Sequence, residues 1–255
     1  GSINVDLIFG LPLQTPESFA RTIDEVLQLD PDRLSVFSYA HVPWIKPAQK
    51  IFDDREQLPD AEQKLAMFAV AHEKLTTADY VDVGLDHFAK PDDELAIALR
   101  EGTLHRNFQG YSTQPDCDLI ALGVSAIGRV GATFSQNVKT LDEYYDLLNQ
   151  GRLPVARGLA LTRDDLVRRT VIMGLMCQGS VLFESVEVSH LIDFRTYFAA
   201  ELQTLQDMQS EGLVTLDAAG IQVTELGWFF VRGVAMVFDK YVQADRNRAR
   251  FSKII

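Results

Sequence analysis

Residues 3–9 form a nearly continuous apolar run that ends at the turn residues Gly10–Pro12, and few folds accommodate such a segment. A run of this kind is typical of a parallel β-strand that is covered on both faces. Thr15 followed by Pro16 predicts the start of a helix, because Thr is a favoured N-cap and Pro a favoured first helical residue. A second apolar run over residues 33–39 predicts another strand. The chain is therefore predicted to open with a strand–helix–strand unit of an α/β fold.

Helical and strand patterns continue beyond this unit. A helix is predicted over residues 59–77 and a strand over residues 81–85. A short helix is predicted over residues 92–100, whereas residues 103–118 are interpreted as a loop. Thr140 is predicted to open a further helix, because a Glu three residues later completes a capping box.

The carboxy-terminal part is predicted to be mostly helical. Thr162 is a predicted N-cap, residues 194–210 show a helical pattern, and residues 213–223 predict a β-hairpin. Helices followed by a small hairpin resemble a winged-helix module. We place the division between two domains, 1–158 and 159–255, where Gly and Pro residues interrupt the pattern.

Composition argues against several classes of partner. The net charge of −12 disfavours binding to nucleic acid or to anionic lipid. Arg246, Arg248 and Arg250 are accordingly interpreted as a solvated helix face. No apolar run reaches the roughly 18 residues that a membrane span needs, and no secretory signal is visible. We therefore expect a cytoplasmic protein with neither nucleic-acid nor membrane partners.

The cysteines and histidines do not predict a metal site. Cys117 and Cys177 are far apart in the sequence, and the five histidines are scattered. Neither set has the spacing of a disulfide framework or of a metal centre. The two cysteines are interpreted as ordinary thiols in a reducing compartment.

Residues at the predicted strand exits are candidate ligand contacts. Asp6 is an acid inside the first apolar strand, where a buried carboxylate is costly unless it is paired. It is either half of a structural ion pair or an acceptor for a ligand hydroxyl or ammonium group near the carboxyl end of a parallel strand. Phe37, at the exit of the second strand, is either plain core or part of the same ligand-facing rim.

Two later segments combine charged and aromatic residues. Asp86 and His87 follow the predicted strand over residues 81–85, and such a pair can perform acid–base work or recognise a carboxylate. Adjacent residues on an extended segment point in opposite directions, so the two need not act together. Residues 105–111 suit either a surface for a flat or anionic ligand or a packed loop with exposed charges.

Several segments taken together resemble one family. They read NVDLIFGLP (residues 4–12), DRLSVFSYAH (32–41), DHFAKPDDEL (86–95), LHRNFQGY (104–111) and ALTRDD (160–165). The chain resembles the carboxy-terminal portion of the bacterial oxygen-independent coproporphyrinogen III dehydrogenases, also called oxidases. These are radical S-adenosylmethionine enzymes of haem biosynthesis, and the resemblance spans essentially the whole chain.

The resemblance implies a fold and a reaction. The fold would comprise the last strands of an incomplete parallel (β/α)6 barrel, followed by a mostly helical, winged-helix-like domain. The reaction oxidatively removes two propionate carboxyl groups of coproporphyrinogen III and gives protoporphyrinogen IX. A 4Fe-4S cluster reduces S-adenosylmethionine, and the resulting 5′-deoxyadenosyl radical takes a hydrogen atom from the propionate. An electron donor of unknown identity is also implied.

The C-x-x-x-C-x-x-C motif that holds the cluster in this family does not occur in the sequence. We therefore interpret the chain as a carboxy-terminal fragment without cluster ligands, and we expect it to be inactive alone. A barrel cut within its sheet leaves an apolar edge strand over residues 3–9, which predicts self-association.

The resemblance also implies site residues. Positions that match family contacts to S-adenosylmethionine, or that line the cofactor region, are Asp6, Phe37, Ala40, Phe108, Gln109 and Ile127. We assign His87 and Arg106 to the substrate, because porphyrinogen propionates need cationic partners. We assign no residue of this chain as catalytic or as a metal ligand.

Two other functions stay open. A haem chaperone of the same superfamily would share the barrel and the tail, although residues 86–95 and 106–111 favour the dehydrogenase. A winged-helix nucleic-acid module over residues 161–255 is the second alternative. Acidic residues outnumber basic ones in that part and a basic recognition helix is lacking, which argues against it.

Overall fold

The computed structural model describes residues 2–52 and 58–245; Arg246, Arg248 and Arg250 lie outside the described residues. The elements of the first part are β1 (Asn4–Phe9), α1 (Pro16–Leu27), β2 (Arg33–Ser38), a 3-10 turn (Pro47–Phe52), α2 (Ala61–Thr77), β3 (Val81–Gly84), β4 (His87–Ala89), α3 (Glu94–Glu101), β5 (His105–Asn107), β6 (Gly110–Ser112), β7 (Ile127–Val130), β8 (Thr133–Asn137), α4 (Leu141–Asn149) and β9 (Val155–Ala160). The elements that follow are α5 (Arg163–Gln178), β10 (Ser180–Leu182), α6 (Phe183–His190), α7 (Phe194–Tyr197), α8 (Ala199–Ser210), β11 (Val214–Leu216), β12 (Gly220–Val223), α9 (Glu225–Phe229), α10 (Val231–Met236) and α11 (Lys240–Asp245).

The strands β1 and β2 and the helix α1 form the predicted strand–helix–strand unit. Thr15 closes a capping box at the start of α1. Phe19 and Ile23 of this helix belong to a buried cluster that α2 and the strands share. β1 and β2 pair in parallel, as the sequence predicts, and the register places Asp6 opposite Ser35.

The first sheet has the strand order β1–β2–β4–β3, and β4 runs antiparallel to both of its neighbours. The sequence does not predict β4, because this strand has only three residues and is too short to show a period-two pattern. Because β4 lies between β2 and β3, the parallel pair in this sheet is β1 and β2. β1 lies at the edge of the sheet as the structure describes it.

The prediction of a loop over residues 103–118 is wrong, because this segment contains the hairpin β5–β6. Its two strands have three residues each and are largely polar, so they lack an alternating apolar pattern. The antiparallel sheet β7–β8–β9 is also missing from the prediction. Every residue of β9 is exposed, and therefore no buried face marks this strand in the sequence.

The carboxy-terminal part is built around α5, whose residues Val167, Val171 and Leu175 are fully buried. The predicted hairpin is present as β11–β12, and β10 adds a third strand that the sequence does not predict. The single helix predicted over residues 194–210 is two helices, α7 and α8, separated at the buried residue Phe198. Within residues 2–52 and 58–245, no helix is both long enough and apolar enough to cross a membrane.

The predicted division between residues 158 and 159 falls inside β9, which pairs with β8 of the preceding part. Residues up to Ala160 therefore belong to the sheet β7–β8–β9 of the preceding part. The assignment of two domains, 1–158 and 159–255, stays a prediction.

Candidate functional site

One face of the first sheet carries a row of polar side chains. Asp6 pairs with Ser35, and Ser35 pairs with His87, so the three residues occupy matching positions on adjacent strands. Side chains of directly paired residues point to the same face of a sheet. Two strand spacings separate Asp6 from His87, which is roughly 10 Å.

Phe37 follows Ser35 by two residues and therefore lies on the same face. Its ring meets the imidazole of His87 edge-on, with the ring centroids 6.0 Å apart. The structure thus places Asp6, Phe37 and His87, which the sequence assigns to ligand binding, on one surface. We call the surface formed by Asp6, Ser35, Phe37 and His87 the inner face.

Asp6 is exposed, so the prediction of a buried carboxylate is wrong. The reason is that β1 is the outer strand of the described sheet, and no further strand covers its side chains there. Asn4 Nδ2 donates a hydrogen bond to Asp6 Oδ1 at 2.7 Å. The second carboxylate oxygen makes no hydrogen bond with the described residues and is available to a ligand.

Asp86 and His87 contact each other, with Oδ1 and Nδ1 2.7 Å apart. The sequence argument treats the two as pointing in opposite directions, and that part of the argument is wrong. Asp86 lies in the turn between β3 and β4 rather than on a strand. The turn begins at Leu85, which has a positive φ of 57°, and the alternation of an extended strand does not apply there.

Tyr111 connects the inner face to Arg106. Its ring meets His87 edge-on at 5.3 Å, and the Arg106 guanidinium lies 4.6 Å from the centre of the same ring. The Tyr111 hydroxyl donates to the carbonyl of Met176 in α5 at 2.8 Å. Burial raises the pKa of Tyr111, so the hydroxyl keeps its proton and can donate this hydrogen bond.

Close packing around Tyr111 requires a glycine in β3. A methyl group at Gly84 would lie 2.5 Å from the Tyr111 hydroxyl oxygen, and Gly84 has a φ of +129°. Only glycine tolerates both conditions. The end of β3 therefore helps to hold the Tyr111 ring between His87 and Arg106.

Arg106 carries a polar atom that the fold leaves without a partner. Its Nη1 is buried and makes no hydrogen bond. Among the described residues, no carboxylate lies within ion-pair distance of its guanidinium, and the Tyr111 ring is its stacking partner. A buried, unpaired guanidinium nitrogen is costly. A ligand carboxylate would remove that cost.

Two cavities among the described residues bear on the site; the larger has a volume of about 450 Å³, and Arg106, Phe108 and Ile127 contribute to its lining. The Phe108 side chain is 67% exposed at the turn of the hairpin β5–β6. Three residues that the sequence assigns separately, to cofactor and to substrate, thus surround one space.

Two further arginines of the larger cavity are already paired. Arg129 and Arg169 both bind Asp116, with the shortest nitrogen–oxygen distances at 2.6 and 2.8 Å. Burial raises the pKa of Asp116, but hydrogen bonds from Arg169 and Arg129 lower it more, so the net pKa is below its ordinary value. Asp116 therefore stays charged, and Arg106 is the lining arginine left to meet an anion.

The smaller cavity, of about 290 Å³, lies at the carboxyl ends of β1 and β2. Phe37, Ala40 and Asp86 line it together with Phe229 and Arg232 from the carboxy-terminal part. The carbonyl of Ala40 accepts a hydrogen bond from the side chain of Gln49, at 3.1 Å, rather than lying bare. The predicted strand-exit residues Phe37 and Ala40 thus line one cavity. Phe229 and Arg232 also line it, and the sequence does not predict their contribution.

Gln109 lies apart from the other predicted residues. It is exposed at the turn between β5 and β6, where its backbone N–H donates to Asn107 Oδ1 at 2.8 Å. Its side chain lines neither of the two cavities. A role for Gln109 in cofactor binding stays a prediction.

The described residues contain no group of three or more His, Cys, Asp or Glu side chains that could hold a metal ion. Cys117 is exposed and Cys177 is buried, and both are free thiols. Burial raises the pKa of Cys177 to about 11, so this thiol is protonated at neutral pH. The residues present therefore do not fit a 4Fe-4S cluster, which needs thiolate ligands.

Comparisons with known proteins identify relatives of this chain. A family profile described as the HemN C-terminal domain matches residues 161–230. An oxygen-independent coproporphyrinogen III oxidase of Pseudomonas aeruginosa is 50% identical over the whole chain, which covers 55% of that protein. One from Thermostichus vulcanus is 45% identical, and there the chain covers 78% of the protein.

The chain belongs to the oxygen-independent coproporphyrinogen III oxidase family. A solved structure, described as coproporphyrinogen III oxidase (HemN) from Escherichia coli, a radical SAM enzyme, superposes with a TM-score of 0.89 at 49% identity. The match covers 93% of this chain and 55% of the Escherichia coli oxidase. The α/β fold expected from the resemblance, a partial barrel followed by a mostly helical part, is confirmed. This chain spans about half the length of the Pseudomonas and Escherichia oxidases.

Sequence reasoning gives Tyr111 no role of its own, and it names Asp86 as a candidate without predicting its contact with His87. The sequence places Tyr111 in a segment of charged and aromatic residues without a specific role. An aromatic residue close in sequence to an arginine is a pattern that can indicate a cation–π contact. Asp86 was separated from His87 by an argument that holds for strands and fails at a turn.

Proposed function

We propose that this chain is the carboxy-terminal part of an oxygen-independent coproporphyrinogen III oxidase. The complete enzyme would oxidatively remove the carboxyl groups of two propionates of coproporphyrinogen III and yield protoporphyrinogen IX. The observation that carries the proposal is the placement of Asp6, Phe37 and His87 on one face, with Arg106 joined to it through Tyr111. Family membership supplies the reaction class.

The proposed cofactors are S-adenosylmethionine and a 4Fe-4S cluster. When bound, they supply the radical that abstracts a hydrogen atom from the substrate. This chain has too few cysteines to hold the cluster, and we expect the chain to be inactive without it. The residues proposed to face S-adenosylmethionine are Asp6, Phe37, Ala40, Phe108, Gln109 and Ile127.

These side chains suit an amphipathic cofactor. The free oxygen of Asp6 accepts hydrogen bonds from ammonium or hydroxyl groups. Phe37 supplies an apolar ring beside it that excludes water. Ile127 and Phe108 line the larger cavity with apolar surface that can cover an adenine ring.

The proposed substrate contacts are His87 and Arg106. Arg106 presents a buried nitrogen without a partner at a cavity wall, and a propionate carboxylate accepts two parallel hydrogen bonds from a guanidinium. His87 borders the same region through Tyr111. Neither residue is proposed to take part in a bond-breaking step.

The proposal includes further partners and a location. The reaction needs an electron donor, and its identity is left open. The net charge of −12 supports the absence of a nucleic-acid partner. The two free thiols support a reducing location such as the cytoplasm.

A chimera tests this function. The chain would replace the matching part of the Escherichia coli oxidase, and the product would be assembled and assayed without oxygen. We expect conversion of coproporphyrinogen III, measured as protoporphyrin IX after oxidation. A chimera that shows the 4Fe-4S absorption and binds S-adenosylmethionine, yet leaves coproporphyrinogen III unchanged, would overturn the proposal.

A further inference from the structure

The contact between Asp86 and His87 has the geometry of an orienting pair. Asp86 Oδ1 lies 2.7 Å from His87 Nδ1, and the two side chains are only 29% and 19% exposed. Both atoms are nevertheless buried without a hydrogen bond. The distance is short enough for a hydrogen bond, but the angle is unsuitable, because the ring N–H does not point at the oxygen. The carboxylate nevertheless lies close enough for its negative charge to favour a proton on Nδ1.

The backbone fixes Asp86 in this position. Its carbonyl oxygen accepts a hydrogen bond from the N–H of Val36 at 2.7 Å, which ties the turn between β3 and β4 to β2. His87 in turn is held by its pairing with Ser35. Main-chain hydrogen bonds on both sides thus hold the Asp86 carboxylate against His87 Nδ1.

The other ring nitrogen of His87 is open. Nε2 makes no hydrogen bond with the described residues, and it is not among the buried atoms that lack a partner. A methyl group at Gly110 would lie 3.7 Å from it, so Nε2 faces the hairpin β5–β6. The rings of Phe37 and Tyr111 pack against the imidazole edge-on and limit its rotation.

We propose that Asp86 is a positioning residue that holds the proton of neutral His87 on Nδ1 and leaves Nε2 as a hydrogen-bond acceptor beside the inner face. A carboxylate next to one imidazole nitrogen fixes the tautomer in this way. The ligand group that fits Nε2 is then an N–H donor. This inference rests on the proposed function and deepens it: His87 takes a pyrrole N–H of a reduced tetrapyrrole, and Arg106 takes a propionate carboxylate.

Nitrogen NMR of the full 255-residue chain, labelled with ¹⁵N-histidine, tests the positioning role without any ligand. Spectra at about pH 9, where imidazoles are generally neutral, are assigned with His87→Gln. We expect His87 to be in the Nδ1–H form in the unaltered chain. Asp86→Ala is expected to shift it to a mixture of tautomers, and Asp86→Asn to favour the Nε2–H form, because the amide can donate to Nδ1.

A matched control uses another Asp–His contact among the described residues. Asp82 Oδ2 lies 3.4 Å from His72 Nε2. Asp82→Asn is expected to alter the His72 signals and to leave those of His87 unchanged. An Nε2–H tautomer of His87 in the unaltered chain, or a His87 spectrum that Asp86→Ala does not change, would overturn the positioning role.

A binding titration separates this role from the proposed function. Coproporphyrinogen III, kept reduced under nitrogen, is expected to bind about tenfold more weakly to Asp86→Ala, the loss of about one neutral hydrogen bond. Equal affinity of Asp86→Ala and the unaltered chain would contradict the contact to the pyrrole N–H. Failure of coproporphyrinogen III to bind either protein would count against the proposed function, while the tautomer would still decide the role of Asp86.

Discussion

Asp6 and Phe37 lie on the same face of two neighbouring parallel strands, because Asp6 pairs with Ser35 and Phe37 follows Ser35 by two residues. This relationship places a carboxylate beside an aromatic ring at the edge of the sheet. We propose that this arrangement suits a cofactor with both charged and aromatic parts. The proposals for the inner face depend on it.

The first prediction concerns Asp6. In the chimera with the Escherichia coli oxidase, Asp6→Ala is expected to weaken S-adenosylmethionine binding about tenfold or more, because a charged hydrogen-bond acceptor is lost. Equilibrium dialysis with labelled cofactor measures the effect. Asp146→Ala, an exposed acid on α4, is the control and should bind normally. Unchanged cofactor binding by Asp6→Ala would remove Asp6 from the site.

The second prediction concerns Arg106. Arg106→Gln is expected to weaken binding of coproporphyrin III about 10- to 100-fold, because hydrogen bonds to charged groups contribute about 1.5–3 kcal/mol. Porphyrin fluorescence measures the affinity. The tetramethyl ester, which lacks carboxylates, should bind equally to both proteins. Arg152→Gln, at an exposed position, is the matched control. Equal sensitivity of the acid and the ester to Arg106→Gln would contradict a carboxylate contact.

A third prediction concerns acid stability through Asp165. Its carboxylate accepts hydrogen bonds from the N–H and hydroxyl of Thr162, both at 2.7 Å, and lies 2.7 Å from Lys240 Nζ. Burial raises the pKa of Asp165, but the hydrogen bonds from Lys240 and Thr162 lower it more, so the net pKa is far below its ordinary value.

A depressed pKa stabilises the fold above the pKa of the unfolded chain, about 4, and the stabilisation is lost as the pH falls below it. Asp165→Asn is expected to lower the free energy of unfolding at pH 7 by about 2 kcal/mol. Its urea midpoint should also change less between pH 5 and pH 3 than that of the unaltered chain. Asp207→Asn, on the exposed side of α8, is the control. Parallel pH curves for Asp165→Asn and the unaltered chain would contradict this account.

The fourth prediction concerns the edge of β1. Ile3, directly before this strand, and Ile8, within it, are 58% and 46% exposed. An open apolar edge favours pairing with another chain, so we expect the protein to self-associate as its concentration rises. The double variant Ile3→Lys with Ile8→Lys should shift the equilibrium toward monomer, whereas Leu153→Lys, at an exposed loop position, should not. Light scattering that finds a monomer at every concentration would refute the prediction.

The elements α1, β1 and β2 could be predicted from residues close together in the sequence. The capped helix α1 and the strands β1 and β2 carry strong signals: an N-cap, a Pro at the first helical position and continuous apolar runs. The hairpin β11–β12 is marked by its turn. The strands β4, β5 and β6 have three residues each, and the exposed strand β9 buries no side chain. Hydrophobic period cannot identify such strands, because tertiary pairing alone orders them.

The candidate site was predictable only in part for a related reason. Asp6 and Phe37 belong to strands whose pairing follows from a strand–helix–strand unit, so their common face could be inferred. The contact of His87 with Asp86 depends on a turn with a positive φ at Leu85, and the contact with Tyr111 depends on the hairpin β5–β6. Asp6 is exposed because its strand lies at the edge of the sheet, and the order of strands in a sheet cannot be predicted from the pattern of apolar residues.

The most direct test of the account maps where a tetracarboxylate porphyrin binds. Coproporphyrin III would be titrated into the ¹⁵N-labelled chain while backbone amide shifts are recorded. The account predicts saturable changes concentrated at Ser35, Phe37, His87, Arg106 and Tyr111, and predicts that Arg106→Gln reduces them. Changes confined to the carboxy-terminal hairpin or to α4, with the inner face unaffected at saturation, would contradict it.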